Sequence, residues 1–290
     1  MGYNLFDGVM QLFIKERLLS YIIKSHFLIS EIMRSTFSFK PKLKILLFPE
    51  KGFGNSLKLG FYFSKHEIRF DNITLENIRN SDIIILVDFK DVLFLSEHRN
   101  LNPNCLIPIP SIESINLCNN KILFNEVMIQ MGFSKYIPAI SSRPSFPYIL
   151  KKNIEFGGSN CFIISNPQQE KDLKELIVNK NYYCQEIIKS KNEFATHVII
   201  KNKKIIASLT IKYIFENDIQ ILGKDKYICR YISKCDYLDL FEKILNEISF
   251  EGICCVDYKI LHSIPYILEI NPRIGGSVIP YFFSLIRQIQ

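Results

Sequence analysis

The residues best able to do chemistry lie near the end of the chain, in Phe250-Glu-Gly-Ile-Cys-Cys-Val-Asp257-Tyr-Lys-Ile-Leu-His-Ser-Ile-Pro-Tyr-Ile-Leu-Glu269-Ile-Asn271-Pro-Arg273-Ile-Gly-Gly-Ser277. Two apolar strands flank a turn at His262–Ser263, and Asp257, Lys259, Glu269 and Asn271 interrupt them. Side chains alternate across a strand, so Glu269 and Asn271 share a face while Ile270 points the other way. A carboxylate and an amide buried together without partners cost several kcal/mol. A hard cation among oxygen ligands would offset that cost, and magnesium is usually held by one or two carboxylates plus substrate phosphates. Asp257, Glu269 and Asn271 are therefore candidate metal ligands. Arg273 projects towards the same place, where a guanidinium suits a phosphoryl or carboxylate group. The competing account is an ordinary hairpin with a few solvent-facing polar residues.

Parity sharpens the metal reading. For Asp257 to face Glu269, the antiparallel pairs must centre on Ser263, which requires an odd loop, His262 to Ile264. A two-residue loop at His262–Ser263 would oppose Asp257 to Leu268 and part the carboxylates, unless a bulge compensates.

The elements that must position these groups are legible as well. Lys44 to Phe48 reads as a buried-type strand, and residues 67–70 and 82–87 suit a second and a third short strand, alternating with helices in a small Rossmann-like parallel unit. Gly52 and Gly54 follow the first strand and precede a helix from about Ser56; a tight turn competes with phosphate cradling there. Asp88 and Asp91 follow the third strand, where open α/β sheets bind ligands, or simply face solvent. A helical segment is expected over 111–131, ending at Gly132. Strands are expected at 147–152, 161–164, 182–188, 194–201, 204–212, 252–260 and 265–270, with helices near 168–179 and 236–248.

Composition bounds the function. The 290 residues are 48% hydrophobic and 22% charged, a globular balance that excludes general disorder, and 12 Gly with 12 Pro exclude collagen-like or linker-like chains. No stretch approaches the ~18 uncharged apolar residues of a membrane span. The net charge of +7 is scattered, which suits anionic small ligands better than a nucleic-acid surface. Eight cysteines without a C-x-x-C pair or zinc spacing read as reduced thiols in a cytoplasmic protein, and small buried side chains account for Cys254 and Cys255. Residues 9–33 have a helical apolar period with Lys15, Arg17, Lys24 and Arg34 interspersed; the early basic residues argue against a signal peptide. Such a segment packs on its own domain, lies peripherally on a membrane, or pairs two copies as a homodimer.

The run E-x-N-P-R-x-G-G, preceded by G-x-x-x-x-D, resembles the ATP-grasp family, and the resemblance extends over about residues 110–277. It implies an α/β to α+β protein, an ATP-grasp fold preceded by a small Rossmann-like domain. Together with the helical period at the start of the chain, the expected division is an amphipathic helical segment at 1–40, a Rossmann-like domain at 41–111, and an ATP-grasp module at 112–290. Within the module the small subdomain is expected at about 112–187 and the C-terminal subdomain at 188–290. The chain ends at Gln290, soon enough after Ser277 that a closing helix is expected to be missing.

Carried over residue by residue, the resemblance makes Lys121 and Lys151 phosphate-binding lysines, with Lys152 competing for the second role. Gly157, Gly158 and Ser159 become a flap over the triphosphate. Gln185, Glu186, Ile187 and Ile188 become the hinge that pairs with adenine through its backbone. Glu193 becomes the acid that holds the ribose hydroxyls, although one extra residue separates it from Glu186 and the turn lacks a glycine. Lys212, at the end of an apolar strand, reaches the triphosphate or is solvated. His197 is expected to face outward or towards the nucleotide. ATP with Mg²⁺, or Mn²⁺ in its place, would serve a ligase that joins a small-molecule carboxylate to an amine. Lys151 and Arg273 would be its catalytic residues. A kinase on the same fold and a nucleotide-binding regulatory protein are the alternatives.

Overall fold

The computed structural model describes residues 41–47, 65–142, 144–155 and 158–289, together with Ser25 and Ile29. The expected helical segment at 9–33, Gly52 and Gly54, the helix from Ser56, and Gly157 of the flap lie outside the described residues, apart from those two isolated positions.

Three sheets organise the described residues. The first is parallel, with β1 (Lys44–Leu47) between β2 (Glu67–Phe70) and β3 (Ile83–Ile85), as the short apolar runs imply. The helices expected, without bounds, to alternate with these strands include α1 (Leu75–Arg79) after β2 and α2 (Phe89–Glu97) after β3. Asp88 accepts from Lys90 N and caps α2, and Asp91 lies in that helix's first turn. Capping is thus the structural task of Asp88, an account that solvation alone did not anticipate.

The expected helix over 111–131 is two, α3 (Ile112–Asn119) and α4 (Lys121–Gln130). Asn120 ends one and caps the other through Leu123 N, because its extended backbone cannot carry a helix through. The break places Lys121 at the first position of a new helix.

The second sheet is antiparallel, with β4 (Tyr148–Lys152) between β5 (Phe162–Ile164) and β6 (Tyr182–Glu186). Tyr148, Leu150 and Ile164 are buried on one face against α5 (Pro167–Asp172) and α6 (Lys174–Ile177), leaving Ile149 and Lys151 for the other.

The third sheet runs β11-β10-β7-β8-β9: β7 (Asn192–Lys201), β8 (Lys204–Ile214), β9 (Cys229–Ser233), β10 (Gly252–Leu261) and β11 (Ile264–Asn271). β9 was not foreseen. One face packs Phe194, Val198, Cys254, Val256 and Tyr258 against α7 (Leu238–Glu247), whose Phe241, Ile244 and Leu245 recur at helical spacing. The opposite face packs Ile199, Leu209, Ile211 and Ile253 against Leu43, Ile45, Ile83 and Ile85 of the parallel sheet. It continues into Ile274, Val278 and α8 (Phe282–Ile286). All eight cysteines are free thiols, and among the described residues no helix is long and apolar enough to cross a membrane.

Candidate active site

The cleft face of the third sheet carries alternate residues of its central strands: Glu193 and Ala195 on β7, Cys255, Asp257 and Lys259 on β10. These meet Ile149, Lys151 and Ile163 of the second sheet across a cavity of about 270 Å³. Lys121, Glu186–Ile188, the loop Ile219–Gly223 and the segment from Arg273 to Ser277 complete its lining.

The hairpin resolves the parity question in an unexpected way. Its loop is the two residues His262 and Ser263, both with positive φ, and Leu261 pairs with Ile264, Lys259 with Tyr266 and Tyr258 with Ile267. That register alone would separate the carboxylates. A bulge between Asp257 and Tyr258 adds Leu268 to β11, so Asp257 lies opposite Glu269 and Cys255 opposite Asn271. The odd loop is thus corrected to a two-residue turn plus a bulge, and consecutive Leu268 and Glu269 both line the cleft.

Asn271 Nδ2 donates to Asp257 Oδ2 and Glu269 Oε1, each at 2.9 Å, and Lys121 Nζ lies 3.2 Å from Glu269 Oε2. Burial, then the charges of Glu269 and Glu193, push the Asp257 carboxyl well above the usual range. Burial also opposes ionisation of Glu269, but Lys121, Asn271 and Lys151 together hold its carboxyl below the ordinary value. The two opposed carboxyls thus share the Asn271 amide, with Lys121 on Glu269, and the charged form of Asp257 is disfavoured unless a further cation lies beside it. Among the described residues no three His, Cys, Asp or Glu side chains gather as a metal cage. Two carboxylates and an amide, with room left for substrate phosphates, do fit magnesium.

Lys151 is buried, donates to Gln185 Oε1 at 2.9 Å and faces the cleft, whereas Lys152 alternates to the opposite face. Burial, the largest cause, lowers the Lys151 pKa, and Lys121 adds to that. Lys121 also donates to the Glu155 carbonyl at 2.8 Å, so it links Glu269 of β11 to the loop after β4. Gly158 lines the cleft with φ +68°, and a Cβ there would lie 2.9 Å from the Leu222 carbonyl. Ser159 instead is exposed and bonds Glu155. Glu186, Ile187 and Ile188 line the cleft; Gln185 supports them from behind, donating to the Pro138 carbonyl at 3.0 Å.

Glu193 lines the cleft and pairs with Lys259 at 3.7 Å; burial raises its pKa against the pull of Lys259 and Lys151. Lys259 had no assigned role in the sequence reading, although it lies two residues from Asp257 and so on the same face. The loop Ile219–Gly223 was also missed, since it carries no periodic signal.

Two expectations fail. Lys212 sits directly opposite Phe194, on the α7 face, with its ammonium 5.7 Å from that ring. Strand parity therefore keeps it from the triphosphate side. His197 points neither outward nor into the cleft but is fully buried behind the loop that carries Ser277.

Residues 118–277, more than half of the chain, match the ATP-grasp domain family. The chain belongs to the ATP-grasp family. Its fold is similar to D-alanine–D-alanine ligase from Bacillus anthracis, at 14% identity over 86% of this chain and 96% of that one, with a TM-score of 0.55. Phosphoribosylamine–glycine ligase from Thermotoga maritima gives 13% identity over 85% and 75%, with a TM-score of 0.57. L-amino acid ligase from Bacillus licheniformis gives 11% over 84% and 70%, with a TM-score of 0.54. A search of curated protein sequences finds no match. The ATP-grasp assignment places the cleft between the second and third sheets at the centre of the family match.

Proposed function

We propose that the protein is an ATP-dependent ligase that activates a small carboxylate as an acyl phosphate and joins it to an amine, releasing ADP and phosphate. The observation that carries this reading is the opposition, across one cleft, of buried Lys121 and Lys151 to the Asp257–Glu269–Asn271 set with Arg273 beside it. A polyphosphate needs point positive charges, which the two lysines supply. Ile149, Ile163, Ile187 and Ile188 offer an apolar seat for a base next to the Glu186–Ile188 backbone, and Glu193, which lines the same cleft, would take the ribose hydroxyls.

Asp257, Glu269 and Asn271 would hold Mg²⁺, which when bound supplies neutralisation of the phosphate oxygens. Arg273 orients the substrate carboxylate, one of whose oxygens attacks the γ-phosphorus as the bond to ADP breaks. The amine then attacks the acyl carbon, phosphate leaves with that oxygen, and the nitrogen loses a proton. Positioning and electrostatics account for most of such catalysis. We further take residues 41–111 as a unit preceding the ATP-grasp module of 112–290, with its small subdomain at about 112–187.

The test is product analysis with Mg²⁺, ATP and a panel of amino acids and sugar acids. ADP is expected, with ¹⁸O from a labelled carboxylate recovered in phosphate. AMP and pyrophosphate would overturn the acyl-phosphate mechanism, and label kept wholly in the organic product would favour a kinase.

A further inference from the structure

The segment Arg273–Ser277 forms one wall of the cleft, and a fully buried histidine stands behind it. His197 Nε2 lies 2.7 Å from Ser277 Oγ and 3.7 Å from Cys255 Sγ. The Cys255 thiol directs its proton to Asp257 Oδ1 at 3.4 Å, so its sulfur is left as an acceptor towards His197. His197 Nδ1, by contrast, is buried without a hydrogen-bond partner. A proton on Nε2 thus makes a strong bond, whereas one on Nδ1 would be a buried donor with no acceptor. The wall is also seated on this ring: a Cβ at Gly275 would stand 2.9 Å from His197 Cε1.

With Nε2–H donating, one lone pair of Ser277 Oγ is fixed and its own proton turns away from the imidazole. It can then be given to another oxygen in the cleft, which Ser277 and Tyr213 both line. Burial holds the imidazole neutral, with its pKa lowered to about 3, so the arrangement persists at neutral pH.

We propose that His197 is a positioning residue that holds the Ser277 hydroxyl as a hydrogen-bond donor to the phosphoryl group transferred from ATP. The inference rests on the ligase reading, and nothing in the E-x-N-P-R-x-G-G run by itself points to His197.

The experiment measures dissociation constants for MgADP and for the magnesium complex of a non-hydrolysable ATP analogue. Binding of MgADP by the unaltered protein tests the nucleotide site itself, and the product and ¹⁸O assay tests the ligase reading separately. Ser277→Ala and His197→Leu are expected to weaken the triphosphate about tenfold, the range for one hydrogen bond to a charged group, with MgADP changed less than twofold. His197→Gln, which can still present an N–H, is expected to retain most of the affinity, and nitrogen NMR is expected to show Nε2 protonated. Equal weakening of both nucleotides, no weakening in Ser277→Ala, or protonation on Nδ1 overturns the inference. Should His197→Leu fail to fold, Ser277→Ala and the nitrogen spectrum decide it.

Discussion

Asp257 stands opposite Glu269 because Leu268 is an extra residue in β11, which offsets the register set by the His262–Ser263 turn. The carboxylates therefore share the cleft with Lys121 and Asn271 rather than pointing to different faces of the sheet. Glu269→Gln is expected to lower ATP turnover by about 10²-fold or more, as removal of one precisely placed electrostatic group does. Binding of ADP without metal should change little, since the hinge and the apolar seat are untouched; calorimetry and a steady-state assay together check this.

Lys151 and Lys152 provide a test of strand parity. Lys151 faces the cleft and Lys152 does not, so Lys151→Met is expected to weaken ADP binding by roughly tenfold or more, the loss of a charge-assisted bond. Lys152→Met is expected to shift it by less than twofold. Equal effects in the binding assay would reverse the register of β4.

His197 ties stability to pH. Its folded pKa of about 3 lies below the unfolded value near 6.5, so the unfolded chain binds the proton first and stability falls as pH drops below about 6.5. At ~1.4 kcal/mol per pH unit, the contribution lost by pH 5 is about 2 kcal/mol relative to pH 7. Urea unfolding of the unaltered protein and of His197→Gln at both pH values should show that extra slope only in the former.

The β10–β11 turn places His262 at φ +50° and Ser263 at φ +61°, where a side chain is strained. Ser263→Gly is expected to stabilise the protein by about 0.5–1 kcal/mol, read as a higher urea midpoint, without altering turnover.

Asp257, Glu269, the lysines Lys121 and Lys151, and most of the strands were legible because alternation is a local property of sequence. Glu269 and Asn271 could be set on one face by counting, and the parallel strands β1 and β3 announced themselves as apolar runs. What counting could not reveal was the Leu268 bulge, since an inserted residue leaves no mark in an already apolar stretch. The failure at Lys212 has a related cause. Its place near the end of a strand was readable, but which face it takes depends on the pairing of β8 with β7, a non-local fact. His197 illustrates a third limit: in sequence it is 80 residues from Ser277, and only the folded sheet brings the two together.

The apolar face that β7, β8 and β10 turn away from α7 is shared between the cleft at one end and β1 and β3 at the other. A boundary near residue 111 is consequently one of chain topology and not of solvent exposure. An excised fragment beginning at 112 would bare Ile199, Leu209, Ile211 and Ile253, which Leu43, Ile45, Ile83 and Ile85 now cover. Such a patch favours self-association over a stable isolated catalytic piece.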